Sequence, residues 1–303
     1  MEKKAHVSWP TDAKVGLGEA PSNGGEVDVK LSRQKLALLE TRLRSLGCVM
    51  VAFSGGVDSA FLAKVAHEVL GENALMVTAF SETFPPAERE RVLALVHKHG
   101  FRHRIVERSE LNVTGFVQNG PDRCYHCKLD LFTRLREIAQ TENIPHILDG
   151  TTAEDVRDYR PGRRAVAETQ VLSPLWEADL HKSEIRLCSK IFGLDTWDQP
   201  ASPCLASRIP YGENVTREKL HQIERAENYL HSLGLRECRV RHHGVLARIE
   251  VASEAWAFLT AQHRESLVAE FHALGFTYVT LDLAGFRSGS LNEVLTPAQK
   301  AEP

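Results

Sequence analysis

The chain has 303 residues, 43% hydrophobic, 25% charged and 7% aromatic, with a formal net charge of −3. That apolar fraction excludes a wholly disordered protein and is enough for one large or two modest cores. No apolar run approaches the roughly 20 residues that span a bilayer, and the near-neutral charge argues against a protein that coats nucleic acid.

Residues 1–30 mix Pro, Gly, Ser, Asn and charges without apolar periodicity and read as a disordered tail. The tail lacks the apolar core of a signal peptide, so a reduced, cytoplasmic setting is expected. Leu36, Leu39, Leu43 and Leu46 then recur at helical spacing, and Gly47 supplies a stop. The run Cys48–Phe53 suits a strand buried on both faces, and an apolar helix follows the turn after it. Further strands are predicted over 74–80, 103–107 and 146–150, with helices over 86–99, 127–140 and 179–193. This alternation implies βαβ units and a parallel sheet covered on both faces.

The rhythm breaks in 193–216, a proline-containing stretch without periodicity, as functional loops often are. A smaller α+β unit follows. Its helix has Thr216 as N-cap, its hairpin spans 237–252, and a last helix and strand follow. The boundaries expected are 31–205 for the larger domain, 206–290 for the smaller one, and a frayed tail over 291–303.

Ser54-Gly55-Gly56-Val57-Asp58-Ser59 joins the first strand to its helix. Glycines let backbone N–H groups approach phosphate oxygens, hydroxyls add donors, and the helix N-terminus presents its positive end. A glycine turn needed only for tight packing is the bland alternative. No Walker A pattern occurs in the chain. The string resembles that of the PP-loop ATP pyrophosphatases, which adenylate a substrate and release pyrophosphate. That resemblance implies a five-stranded parallel nucleotide-binding sheet, ATP and Mg²⁺.

Three further segments narrow the choice. Asp149-Gly150-Thr151 opens a strand-end loop that runs through Asp155, Asp158, Tyr159 and Arg160 to Gly162. Lys182 and Arg186 lie one turn apart on a helix preceded by Ser173-Pro174-Leu175. Pro203-Cys204-Leu205-Ala206-Ser207-Arg208 sets a lone cysteine beside an arginine. In this order the segments resemble the LarE family, ATP-dependent sulfur transferases of nickel-pincer nucleotide biosynthesis.

The resemblance covers about residues 30–293. It implies adenylation of a carboxylate of pyridinium-3,5-biscarboxylic acid mononucleotide and its replacement by a thiocarboxylate. It implies an ATP site with Ser54, Gly55, Gly56, Asp58, Ser59, Thr78, Ala79 and Gly150. It also implies a homo-oligomer, a hexamer, with a sulfur donor or nickel-insertion protein as partner.

Six cysteines are present. Cys48, Cys188 and Cys238 read as small buried hydrophobes, whereas Cys124, Cys127 and Cys204 fall in polar, turn-rich stretches. In one form of the family the cysteine at the Cys204 position donates its own sulfur, with Arg208 favouring the thiolate. A C-x2-C pair plus Cys204 instead resembles the form in which three thiolates hold a [4Fe–4S] cluster with one iron open to a hydrosulfide. A zinc site including His126 and three incidental thiols remain as alternatives.

Arg239 and Arg241 alternate along a strand and match the family's phosphate-binding pair, unless they are a solvated edge. Glu227 and Glu250 are candidate metal ligands in the smaller domain. A tRNA thiolase is a competing reading, but the charge offers it no basic tract. A non-catalytic ATP-binding module is another.

Overall fold

A computed structural model describes residues 27–156, 161–200, 203–287, 289–297 and 299. Most of the expected tail, and Asp158, Tyr159 and Arg160 of the strand-end motif, lie outside the described residues. Helix α1 (Val29–Leu46) starts inside the stretch read as tail, because the Asp28 carboxylate accepts the N–H groups of Lys30 and Leu31 at 2.8 and 3.1 Å. The helix stops at Gly47, where φ is 71° and the amide returns to the Leu43 carbonyl.

The elements that follow are β1 (Val49–Ala52), α2 (Val57–Leu70), β2 (Ala74–Phe80), α3 (Pro86–His99), β3 (His103–Glu107), α4 (Thr114–Val117), α5 (Arg123–Thr141) and β4 (His146–Leu148). After them come α6 (Gly162–Glu168), α7 (Pro174–Glu177), α8 (Lys182–Ile191), α9 (Arg217–Ser232), β5 (Cys238–His243), β6 (Leu246–Val251), α10 (Arg264–Ala273) and β7 (Tyr278–Leu281). Among the described residues no helix is long and apolar enough to cross a membrane. All six cysteines are free thiols.

The chain divides into two compact units. The first holds the chain up to Phe80, Ala87–Glu107 and Lys128–Ala201. Its sheet is parallel throughout, in the order β3-β2-β1-β4. Met50, Leu75, Val77 and Ile147 pack beneath Phe132, Leu135 and Ala139 of α5. Among the described residues four strands form where five were expected. The fifth position holds one parallel bridge, Leu148 to Leu172, because Ser173 and Pro174 turn the chain into α7.

The second unit holds Ser81–Pro86, Arg108–Cys127 and the chain from Ser202 onward. A single cut at residue 205 therefore misses two excursions of the chain. Packing explains the longer one: Phe116, with Leu111, Val113 and Cys127, shares a core with Leu205, Ile209, Val215, Leu220 and Ile223. Asn119 is fully buried and donates its side-chain amide to the carbonyls of Pro210 and Glu213 at 2.7 and 2.9 Å. The Val215 amide donates to the Val117 carbonyl at 2.9 Å.

Here β5 and β6 form the expected antiparallel hairpin, turning at Gly244, and β7 joins β6 in parallel. Thr216 caps α9 as predicted, accepting the Lys219 amide at 3.3 Å. Glu227 of α9 takes Arg208 bidentately, with both contacts at 2.8 Å, and accepts the Val240 amide at 2.9 Å. Glu250, with 0% exposure, takes Arg241 at 3.0 and 2.8 Å and also accepts from Ser290. The two carboxylates read as metal ligands are thus buried counter-ions: guanidinium donors already neutralise them where a metal would have to do so.

Breaking one of these pairs strands a carboxylate without its cation. Arg208→Ala is expected to lower stability by about 3–5 kcal/mol in urea denaturation. Removing both charges in Arg208→Met/Glu227→Gln should recover most of that loss.

Candidate functional site

The turn at the carboxyl end of β1 is built by backbone conformation. Gly55 sits at φ 76°, and a Cβ there would lie 2.4 Å from the Val92 side chain, so the position requires glycine. Gly56 caps α2 in an extended conformation with no side-chain cap, leaving the first helical N–H groups facing the turn. The Ser54 and Ser59 hydroxyls lie 3.0 Å apart, and Ser59 Oγ donates to the Gly56 carbonyl at 3.1 Å. Gly150, beyond β4, packs against this turn: a Cβ there would stand 3.1 Å from the Ser59 nitrogen. The result is an anion cradle of amides and hydroxyls at a helix N-terminus.

Carboxylates and a lysine surround it. Lys182, at the start of α8, places Nζ 3.3 Å from Asp58 and 3.8 Å from Asp155. Its backbone amide donates to Glu154 at 2.9 Å, which fixes the helix start. Asp155 in turn accepts the amide and hydroxyl of Thr152, both at 3.0 Å. Burial raises the Asp58 carboxyl above its usual range, and the Lys182 ammonium opposes the shift. Asp149 is buried and holds the Thr151 and Ser173 hydroxyls, each at 2.7 Å. Such carboxylates beside a phosphate cradle are the oxygen donors that Mg²⁺ takes together with phosphate.

Arg186 shares a face of α8 with Lys182 as expected and bears on Asp58 as well, and its guanidinium donates to the carbonyls of Trp197 and Gln199 at 2.6 and 2.8 Å, anchoring that loop. Thr78 is buried. Its hydroxyl donates to the Phe53 carbonyl at 2.7 Å and lies 2.9 Å from His103 Nε2, tying β2 to the residue after β1. Ala79, next to it in β2, is half-buried.

All three loop cysteines belong to the second unit. Cys124 and Cys127 lie one turn apart on α5, with Cys124 exposed. The Cys127 sulfur accepts from Arg108 Nη2 at 3.0 Å, and its carbonyl accepts from Nη1 at 3.1 Å. Burial pushes the Cys127 thiol up to about 12, against the pull of Arg108; the neighbouring Cys204 and Glu110 add to the rise. Cys204 precedes a short turn of helix, Leu205–Arg208. The residue keeps solvent access, yet the protein packed around its sulfur raises this thiol too, opposed by Arg123 and by the Thr83 hydroxyl.

Arg208 does not play the part expected of it. Its guanidinium is held by Glu227 and donates to the Pro203 and Cys204 carbonyls at 2.7 and 3.2 Å, so it shapes the loop backbone. The cation that bears on the Cys204 thiol is Arg123, anchored to Asn119 and to the Ala206 carbonyl.

Cys127 and Cys204 are electrostatic neighbours, and Cys124 is one helical turn away. Among the described residues, however, no three His, Cys, Asp or Glu side chains gather closely enough to hold a metal ion. The thiols match an iron–sulfur cluster in donor chemistry and count, without being drawn together around one point.

Of the expected phosphate pair, Arg241 is filled by Glu250, by Ser290 and by the Ser207 carbonyl at 2.7 Å. Arg239 lies over the Phe286 ring, 5.1 Å from its centroid. The sequence reading missed Arg108, Glu110, Thr83 and Arg123. They stand in separate segments with no motif spacing, and only the alternating charges of Arg108-Ser109-Glu110 carried a faint signal.

No family model matches the chain. It is 39% identical to the pyridinium-3,5-bisthiocarboxylic acid mononucleotide synthase of Lactiplantibacillus plantarum, across 88% of this chain and 97% of that protein. It is 43% identical to an uncharacterized protein of Synechocystis, across 86% of this chain and 98% of that one. A third relative, a component of the glutamine-hydrolyzing GMP synthase of Thermoplasma volcanium, is 33% identical over 57% of this chain and 60% of its own length.

Because the folded state raises the Asp58 carboxyl, its ionised form costs stability at neutral pH. That penalty is absent below the unfolded carboxylate range, at about pH 4, and complete once pH exceeds the raised value. Asp58→Asn is therefore expected to raise the melting temperature at pH 7, to lose that advantage near pH 4, and to weaken Mg²⁺-dependent ATP binding. Parallel melts and nucleotide titrations check both halves.

Proposed function

The chain belongs to the LarE family of pyridinium-3,5-bisthiocarboxylic acid mononucleotide synthases, and from that premise we propose that it is an ATP-dependent sulfur transferase acting on pyridinium-3,5-biscarboxylic acid mononucleotide. The observation that carries this reading is the presence in one chain of two chemistries. One is a glycine-bent phosphate cradle at a strand end, and the other is a set of loop thiols beside buried arginines.

A carboxylate is a poor electrophile because its leaving group would be oxide. Attack of one carboxylate oxygen on the ATP α-phosphorus forms a C–O–P linkage and expels pyrophosphate, giving an acyl-adenylate. The Ser54–Ser59 turn receives the departing phosphates, and Lys182 supplies a cation beside them. Asp58 and Asp155 are the carboxylates suited to hold Mg²⁺ there, where the ion neutralises phosphate charge. A sulfur nucleophile then attacks the activated carbonyl. The C–S bond forms, the C–O bond to AMP breaks, and the electron pair leaves with AMP.

For the sulfur source, the family resemblance supports a [4Fe–4S] cluster held by Cys124, Cys127 and Cys204, which when bound would present sulfur at an open iron. The free Cys204, with its solvent access, supports the second reading, in which its own sulfur is given up. There the thiolate forms the thioester, and loss of the α-proton breaks the Cβ–S bond to leave dehydroalanine. The resemblance further supports a homo-oligomer, a hexamer, working in the cytoplasm with a sulfur donor or nickel-insertion protein as partner.

Anaerobically purified protein is expected to release pyrophosphate from ATP when given the pyridinium nucleotide, to carry iron and acid-labile sulfide with broad visible absorbance, and to keep its intact mass after turnover. A colourless protein that loses the mass of one H₂S per turnover would establish the Cys204 route. Pyrophosphate release stimulated by tRNA and not by the pyridinium nucleotide would sink the proposal and favour a tRNA thiolase.

A further inference from the structure

Between Cys127 and Cys204 lies a buried polar chain that neither motif spacing nor the reaction scheme above uses. Arg108 and Glu110 have side chains 4% and 5% exposed and are joined at 2.8 Å. The same Nη2 that meets Glu110 Oε1 also donates to the Cys127 sulfur at 3.0 Å. On the other side Thr83 donates to Glu110 Oε1 at 3.1 Å, and its hydroxyl bears on the Cys204 thiol. The remaining carboxylate oxygen, Glu110 Oε2, is buried with no hydrogen-bond partner.

A buried ion pair that served stability alone would have its acceptors filled, since each vacant one costs desolvation without return. Here a guanidinium is aimed at sulfur and a vacant acceptor lies next to it. Hydrosulfide, HS⁻, has the complementary pattern: an anionic sulfur that accepts from N–H, and one S–H that donates to a carboxylate oxygen.

We infer that Arg108, locked in place by Glu110, is a further catalytic residue: its guanidinium holds the incoming hydrosulfide beside Cys127, with Glu110 Oε2 accepting the S–H. The assignment deepens the sulfur-transfer reading and rests on it. In the step it serves, the sulfur lone pair forms the C–S bond to the acyl-adenylate, and AMP leaves with the C–O electron pair. The resulting thioacid ionises, its proton passing to water. No oxidant or reductant is needed, and the co-reactant is inorganic sulfide.

The test uses the full chain, reconstituted anaerobically with ferrous iron and sodium sulfide, with sodium sulfide also varied as the probe. Wild type is compared with Arg108→Gln, Arg108→Lys, Glu110→Gln and the double variant Arg108→Gln/Glu110→Gln, which leaves no lone buried carboxylate. Losing a charge-assisted contact should raise KM for sulfide in Arg108→Gln roughly 10- to 100-fold, more than it lowers kcat. Arg108→Lys should recover part of that loss. Sulfide retained per iron after gel filtration should fall in the same order, while calorimetric ATP affinity, set in the first unit, stays within about two-fold.

A sulfide KM unchanged in Arg108→Gln overturns the assignment and leaves the sulfur-transfer reading standing. So does wild-type transfer that is independent of added sulfide, or loss of ATP binding in step with transfer in both the single and double variants. A wild-type enzyme that makes no thiocarboxylate from the pyridinium nucleotide overturns the reading and the inference together.

Discussion

Parallel pairing of β1 with both β2 and β4 makes every strand of the first unit leave the sheet at the same edge. A parallel strand needs a crossover to return, so the carboxyl ends cannot alternate sides as they do in hairpins. The Ser54–Ser59 turn and the Asp149–Thr152 segment therefore meet although they lie far apart in sequence. Gly150 faces the backbone of Ser59 because the β1–β4 register, Val51 opposite Leu148, leaves no room for a side chain between them. The glycines, the capping geometry of α2 and the Lys182 contact with Asp58 all depend on that one arrangement.

The second unit is organised by burial of polar groups. Asn119 clamps the Pro210–Glu213 turn, Arg123 reaches from Asn119 to the Ala206 carbonyl, and Arg208 and Arg241 are each seated on a buried glutamate. Unpaired groups of this kind are expensive in a low dielectric, so the loop carrying Cys204 is held to a narrow range of conformations. These contacts fix the backbone on both sides of Cys204.

Desolvation runs through both units. It raises the Asp58 carboxyl and the Cys127 and Cys204 thiols, in each case against a nearby cation. In each of these groups burial disfavours the charged form, and a nearby positive charge favours it. An arginine four residues away in sequence does not by itself activate a cysteine. The side chain of Arg208 is turned to Glu227, and burial decides the direction for Cys204.

Local chemistry was legible in the sequence. The α/β alternation, the glycine turn before α2, the Thr216 cap and the β5–β6 hairpin all follow from periodicity and turn residues, which act over a few positions. Motif order was enough to point to the family. The sequence could not say what each side chain would face. Thr78 turned inward to Phe53, Glu227 and Glu250 became counter-ions, and the fifth strand shrank to one bridge when Pro174 began a helix. The segment with Cys124 and Cys127 joined the second unit because the core around Phe116 is assembled from residues about a hundred positions apart. Arg108 and Glu110 gained meaning for the same reason: partners this distant are chosen by burial and pairing in three dimensions, and no local pattern encodes that choice.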